Sequence, residues 1–227
     1  MNTVPSGAVP PMSASRARSA LVASLDRKAI ETGLQTVLSD IRSGRLSGSY
    51  EPMLPALLNL KGNPYTLKNH FPFAPFFSVY QPATLTCKSA RQVSKSVTLA
   101  ATGVIHCAAV PYFSTLFITP LFDQIRRISS TYVKRFIDNS PIKHLMIDSK
   151  VDQSVQQRTF TNDSSMGFTF AFLDAERIRG YMSDHIKIDE FQDFNLDFVP
   201  IIAETMSASE YRFATFSGTP KTIDGPL

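Results

Sequence analysis

The 227-residue chain is 43% hydrophobic, 11% aromatic and 19% charged, which supplies a sizeable core and rules out disorder over its whole length. Lys and Arg exceed Asp and Glu by 23 to 19, and the net charge of +4 permits a nucleic-acid partner without the electrostatic footprint of a histone-like protein. The two cysteines, Cys87 and Cys107, form no C-x-x-C pair and no cluster with the four histidines, so a disulfide scaffold and a structural zinc are disfavoured and a reducing, intracellular setting fits.

Residues 1–16 contain Pro5, Pro10 and Pro11 and lack the charged-then-apolar layout of a signal peptide, so they read as a disordered tail. From Ala17 to Leu46 the apolar positions Leu21, Leu25, Ile30, Leu34, Val37, Leu38 and Ile41 recur at helical spacing, which predicts an amphipathic lead-in. Tyr50 to Phe77 is dense in Pro and Phe and cannot be one helix; it reads as a packed irregular connector, and residues 17–79 form one lead-in unit.

From residue 80 onward the pattern alternates: strand Ala83–Cys87, helix Lys95–Ala109, strand Phe113–Thr119, helix Leu121–Asp138. That order predicts βαβ units and an α/β fold with a mainly parallel sheet. The uncharged stretch between Lys95 and Asp123 is long enough for a membrane span, but Gly103, His106, Pro111 and Pro120 divide it into a core helix and a core strand, so no membrane contact is expected. Gln156–Thr161 and Gly167–Leu173, joined by Asn162, Asp163, Ser164 and Ser165, read as an inserted β-hairpin. A short helical piece at Ala175–Arg179, strand His185–Asp189, helix Leu196–Met206 and strand Tyr211–Ser217 complete a core expected over residues 80–227 and incomplete at its C-terminus.

The turn after the first of these strands, Ser89-Ala90-Arg91-Gln92-Val93-Ser94-Lys95-Ser96, has the length and the Lys-Ser ending of a phosphate loop, G-x-x-x-x-G-K-[ST], with Ser at both glycine positions. Such a loop works through backbone N–H groups at a helix N-terminus, a Lys for the phosphates and a hydroxyl on Mg²⁺. Lys95 and Ser96 supply the last two. A positive φ at Ser94 would cost about 1–2 kcal/mol, which a fold can absorb. An ordinary polar strand-to-helix turn also accounts for these residues.

Ile186-Lys187-Ile188-Asp189-Glu190 is an apolar-leaning strand ending in adjacent carboxylates, the pattern in which the first acid holds Mg²⁺ and the second polarises water. The following Phe191-Gln192-Asp193 is a run also met in helicase-like ATPases; the plain alternative is a strand ending in solvated acids. The strand Tyr211–Ser217, which runs out through Phe213 to Pro220, can lie between the other two, placing Ser217 and Thr219 at its C-terminal end where hydrolysis would be sensed; a Gly-Pro turn leaving a sheet is the plain alternative here. Arg126, Arg127, Lys134 and Arg135 read as a solvated helix face, the four histidines as neither metal ligands nor a triad, and Cys87 as a buried inert thiol.

Taken in order, these elements resemble the ATPase domain of the large terminase subunit, the DNA-packaging motor of tailed bacteriophages. The resemblance spans about Leu60 to Pro220 and is most specific at Ser89–Ser96, with Arg-Gln inside the loop, and at Ser217-Gly218-Thr219-Pro220, which looks like the family's coupling motif. Asn63-Pro64-Tyr65-Thr66-Leu67, His70-Phe71-Pro72-Phe73, Thr119-Pro120-Leu121-Phe122-Asp123-Gln124 and Arg179-Gly180 are also similar to family segments.

The resemblance implies a three-layer αβα P-loop NTPase of the additional-strand type, binding ATP through Gln81 (adenine) and Ser89, Ala90, Arg91, Gln92, Val93, Ser94, Lys95 and Ser96. It implies Mg²⁺ on Ser96 and Asp189, Glu190 activating water, Arg91 as a finger supplied in cis, and Ser217, Gly218 and Thr219 coupling hydrolysis to movement. It further implies double-stranded DNA as substrate, a portal protein and a small terminase subunit as partners, and a ring homo-oligomer at the portal vertex in the host cytoplasm. The family's C-terminal nuclease is not expected in this sequence. A helicase-like translocase and a catalytically inactive nucleotide- or DNA-binding module are the alternatives, the latter motivated by the serines in place of glycines.

Overall fold

The structure, a computed structural model, describes residues 48–79, 81–141, 143–147, 153–171 and 178–221. The tail, the lead-in helix over Ala17–Leu46 and most of the helical piece at Ala175–Arg179 lie outside these residues.

The chain enters through a short helix α1 (Leu54–Leu57), a two-stranded antiparallel ribbon β1 (Asn59–Leu60) and β2 (Asn63–Pro64), and a 3₁₀ helix over Phe71–Phe77. Prolines set the irregularity of this connector, and its aromatics make it cohesive: Tyr65, Phe73, Phe76 and Phe77 are buried. It is tied back on itself by the Tyr50 N–H, which donates to the Phe77 carbonyl at 2.7 Å.

Six strands form the main sheet: β3 (Thr84–Lys88), β4 (Ser114–Thr119), β5 (Gln157–Thr159), β6 (Ser165–Phe170), β7 (His185–Ile188) and β8 (Phe213–Gly218). Their spatial order is β3-β8-β7-β4-β6-β5, parallel throughout except for the β5–β6 pair. The expected strand insertion is therefore present: β8 lies between β3 and β7. The hairpin also forms, and its second strand runs parallel to β4 as a full member of the sheet. All four residues of β7 and the last five of β4 are buried, as strands covered on both faces must be.

Helix α2 (Lys95–Ala109) covers one face and has the expected limits. It is buried from Thr98 to Cys107, apolar almost all round, because the connector packs on its far side. The helix expected over Leu121–Asp138 is continuous but irregular: Phe122–Arg127 and Lys134–Asp138 are α-helical and flank a π-helical segment, Ile128–Val133, the whole being α3. In that segment Ser129 is drawn out of the regular pattern, its hydroxyl donating to the Val155 carbonyl at 2.7 Å and its carbonyl accepting from Arg158. A short α4 (Lys143–Met146) follows. The helix expected over Leu196–Met206 divides into a 3₁₀ turn, Leu196–Phe198, capped by the Asn195 side chain, and α5 (Val199–Glu204), with Pro200 in its first turn.

Two apolar clusters sandwich the sheet. Leu99, Val104, Phe117, Phe136 and Phe168 fill the α2 side. Leu116, Ile118, Ile186, Ile188, Phe191 and Ile202 fill the other, so alternate residues of β4 and β7 serve opposite layers, giving the three-layer αβα arrangement.

Gly103 fixes the spacing of α2 over this sheet. A Cβ there would come within 2.8 Å of both the Met166 methyl and the Phe117 ring, and Phe117 is wholly buried and stacked on Phe168 at 5.3 Å. Gly103→Ala is expected to lower unfolding stability by about 1–2 kcal/mol in a urea titration, because the cost of overpacking outweighs alanine's roughly 1 kcal/mol advantage in helix propensity.

Candidate functional site

The C-terminal ends of β3, β7 and β8 and the N-terminus of α2 meet at one edge of the sheet, the place where open α/β sheets bind ligands. Ser94, the N-cap of α2, has φ 70° and ψ 22°, and Gln92 has φ 61°. The loop thus adopts the left-handed turn that glycine ordinarily supplies, with serine bearing the cost.

Lys95 opens α2 and is 8% exposed. Its ammonium donates to the Ala90 carbonyl at 2.6 Å, the Ser89 carbonyl at 3.3 Å and the Thr219 hydroxyl at 2.9 Å. These are neutral acceptors only.

Beside it the Ser96 hydroxyl donates to Asp189 Oδ2. Asp189 is 2% exposed, and burial raises its pKa, helped by the neighbouring Glu190 carboxylate and opposed by the Ser96 hydrogen bond. Ser217, one strand over, has a buried hydroxyl with no geometric hydrogen-bond partner among the described residues, and it lies close enough to Asp189 to favour its ionised form. A buried carboxylate and two hydroxyls are the oxygen donors a hard divalent cation takes, so the residues present fit Mg²⁺. Among the described residues no group of three His, Cys, Asp or Glu side chains could hold a metal. A site completed by phosphate oxygens and water needs none.

Glu190 follows at φ 56°, a left-handed conformation that turns the chain sharply off β7. Its Oε2 accepts from Gln192 Nε2 at 2.6 Å. Gln192 Oε1 in turn accepts from the Thr219 N–H at 2.9 Å.

The structure therefore brings Lys95, Ser96, Asp189, Glu190, Ser217 and Thr219 together. The Ser89 N–H donates to the Gly218 carbonyl at 3.3 Å, which ties the loop to the end of β8. Arg91 is exposed at the crest of the loop, while Ser89 and Val93 line a cavity of about 450 Å³ with His70, Phe73 and Phe76.

Gln81 lies elsewhere. It precedes β3, at the opposite end of that strand, roughly 16 Å away by strand geometry. Its amide donates to the carbonyls of Phe76 and Ser78, and it borders a separate cavity of about 310 Å³ with Tyr50, His106 and Tyr211.

Sequence reasoning did not find two further features. One is the Gln192 bridge, whose signal was its place in Phe191-Gln192-Asp193. The other is a row of polar groups on the face of β7 that meets α2. Asp189 meets Ser96, Lys187 Nζ donates to Thr102 Oγ1 at 2.9 Å, and the His185 ring stacks on His106 at 5.7 Å between centroids. Burial lowers the pKa values of both histidines well below the usual range, and the Lys187 charge adds to this. The Lys-apolar alternation of Ile186-Lys187-Ile188 was the available signal.

A mainly parallel sheet with a strand inserted between the loop strand and the carboxylate strand defines a P-loop NTPase-like fold. Solved structures similar to this fold include large terminases of phages. The HK97 bacteriophage large terminase superposes with a TM-score of 0.62 at 12% identity, covering 75% of this chain and 37% of that one. The ATPase domain of the Thermus phage P74-26 large terminase gives 0.51 at 17% identity, covering 62% of this chain and 61% of that one. The large terminase of a thermophilic bacteriophage in complex with ADP gives 0.52 at 13% identity, covering 66% and 38%. At such identities the likeness establishes the fold, which is the one the sequence resemblance implies. The chain spans well under half the length of the HK97 protein. No protein-family model and no curated protein matches the sequence.

Lys187 is wholly buried and its pKa falls from 10.5 to about 7 through loss of solvation. Between those values the unfolded chain holds a proton that the folded chain does not, so the contribution of Lys187 to stability rises with pH across the window and is least favourable below it. Lys187→Met is expected to raise stability at pH 7 and flatten its rise toward alkaline pH. Thr102 stays satisfied through its bond to the Leu99 carbonyl, and urea titrations at several pH values measure both effects.

Proposed function

We propose that this chain is a Mg²⁺-dependent ATPase that powers movement of double-stranded DNA into a phage prohead. The observation that carries the reading is the convergence of Lys95, Ser96, Asp189 and Thr219 from α2, β7 and β8 on one loop. The ADP bound by one terminase of the same fold supports a nucleotide as the ligand.

In this reading the Lys95 ammonium exchanges loop carbonyls and the Thr219 hydroxyl for phosphate oxygens, gaining the anion that its buried charge lacks. Ser96 and Asp189 would hold Mg²⁺, which when bound screens phosphate charge and favours an ionised Asp189. Glu190 orients and deprotonates the attacking water. Arg91, exposed on the loop, reaches the charge that develops on the transferring phosphoryl group. Ser217 and Thr219 report loss of the γ-phosphate to β8 and to the parts that move DNA. Work on a prohead would be done by a ring of copies on a portal protein, with a small terminase subunit delivering the DNA.

Side-by-side Mg-ATP binding and hydrolysis test this. Lys95→Ala is expected to abolish measurable binding, and Glu190→Gln to keep binding while lowering kcat by about 10²- to 10⁴-fold. A wild-type chain that binds no nucleotide would remove the ATPase reading.

A further inference from the structure

Gln192 touches both working parts of the site. Its Nε2 donates to Glu190 Oε2 at 2.6 Å and to Asp193 Oδ2 at 3.2 Å, and its Oε1 accepts from the Thr219 N–H at 2.9 Å. The partners fix the amide's orientation: a carboxylate only accepts and a backbone N–H only donates, so neither end can be exchanged. Thr219 in turn bears the Lys95 ammonium on its hydroxyl. A continuous path therefore runs from the cation at the loop, through Thr219 and one planar amide, to the carboxylate placed to activate water.

The surroundings make that amide a lever. Phe191, the preceding residue, packs on Phe216 of β8 at 4.7 Å between ring centroids, which holds the 191–193 turn against the strand. Asp193 is paired with Lys221, the residue two beyond Thr219, so the second hydrogen of the amide has an anchored acceptor. Because Nε2 and Oε1 belong to one rigid plane, a shift of the Thr219 N–H turns the plane and changes what Glu190 receives. An anion on Lys95 would draw the ammonium from the Thr219 hydroxyl and free Thr219 to shift.

We propose that Gln192 is a positioning residue that sets the Glu190 carboxylate according to the position of Thr219, coupling occupancy at Lys95 to readiness for hydrolysis. The proposal rests on the ATPase reading above, and its test separates the two.

The full chain, Gln192→Ala and Gln192→Glu are compared by Mg-ATP binding, steady-state kinetics and amide hydrogen exchange of the Thr219 N–H with and without nucleotide. Gln192→Ala is expected to bind nucleotide within about 3-fold of wild type, to lose about 10- to 100-fold in kcat, and to exchange Thr219 faster without responding to nucleotide. Gln192→Glu keeps an acceptor for Thr219 but loses the donor to Glu190, so its exchange stays slow while kcat falls. A merely structural role would lower affinity and stability together and would not divide the two variants in this way.

A Gln192→Ala chain with kcat within about 2-fold of wild type, or with unaltered Thr219 exchange, overturns the proposal. If the wild type binds nucleotide without turning it over, exchange alone decides: a nucleotide response in wild type that is lost in Gln192→Ala supports the lever, and its absence or persistence overturns it. A wild type that binds no nucleotide removes the ATPase reading and the lever with it.

Discussion

Lys95 is a cation sealed at 8% exposure and hydrogen-bonded to two carbonyls and a hydroxyl, with no carboxylate paired to it among the described residues. Dipoles compensate a buried charge only in part, so an arriving anion offsets the cost of its burial. The architecture around the loop keeps this charge in place. α2 holds its backbone, β3 delivers the loop, and β8, inserted beside β3, brings Thr219 within reach. Were β7 next to β3, the third acceptor would come from a different strand.

Legibility in the sequence followed how local each determinant was. The limits of α2 were readable because an uncharged run began at Lys95, and β4 and β7 because apolar residues filled them. The place of β8 followed from ligand-binding logic at the sheet edge as much as from its own pattern. The π-helical segment in α3 was not readable, because it depends on Val155 and Arg158, residues more than a turn of sequence away that capture Ser129. Likewise, Gln192 could be seen as part of a run but not as a bridge, since its partner Thr219 is 27 residues on. Gln81 was placed by resemblance alone, and its own amide contacts are with backbone carbonyls of the connector.

The α2-facing row of β7 shows what the loop end demands of the rest of the strand. Period-two alternation commits His185, Lys187 and Asp189 to the same face once Asp189 is required at Ser96. Each then needs a polar partner in an otherwise apolar layer. Asp189 has Ser96, Lys187 has Thr102, and His185 has Thr215 at 2.7 Å. Hydroxyls on α2 and β8 therefore recur through the core because the strand that carries the carboxylate carries other polar groups too.

Three of the seven non-glycine residues with positive φ among the described residues lie at the same edge. Gln92, Ser94 and Glu190 all hold positive φ without being glycine, and they flank the two ends of the Ser96–Asp189 contact. Each costs on the order of 1–3 kcal/mol, which a fold retains only where surrounding contacts over-determine the backbone. Those contacts are present: Ser94 is locked by the first turn of α2, and Glu190 by the Asp193 N–H that donates to its carbonyl and by the Gln192 amide on its side chain. Glycine at these positions would relieve the strain and also loosen the loop and the carboxylate. Serine and glutamate therefore exchange stability for a fixed geometry at the residues that the proposed chemistry uses.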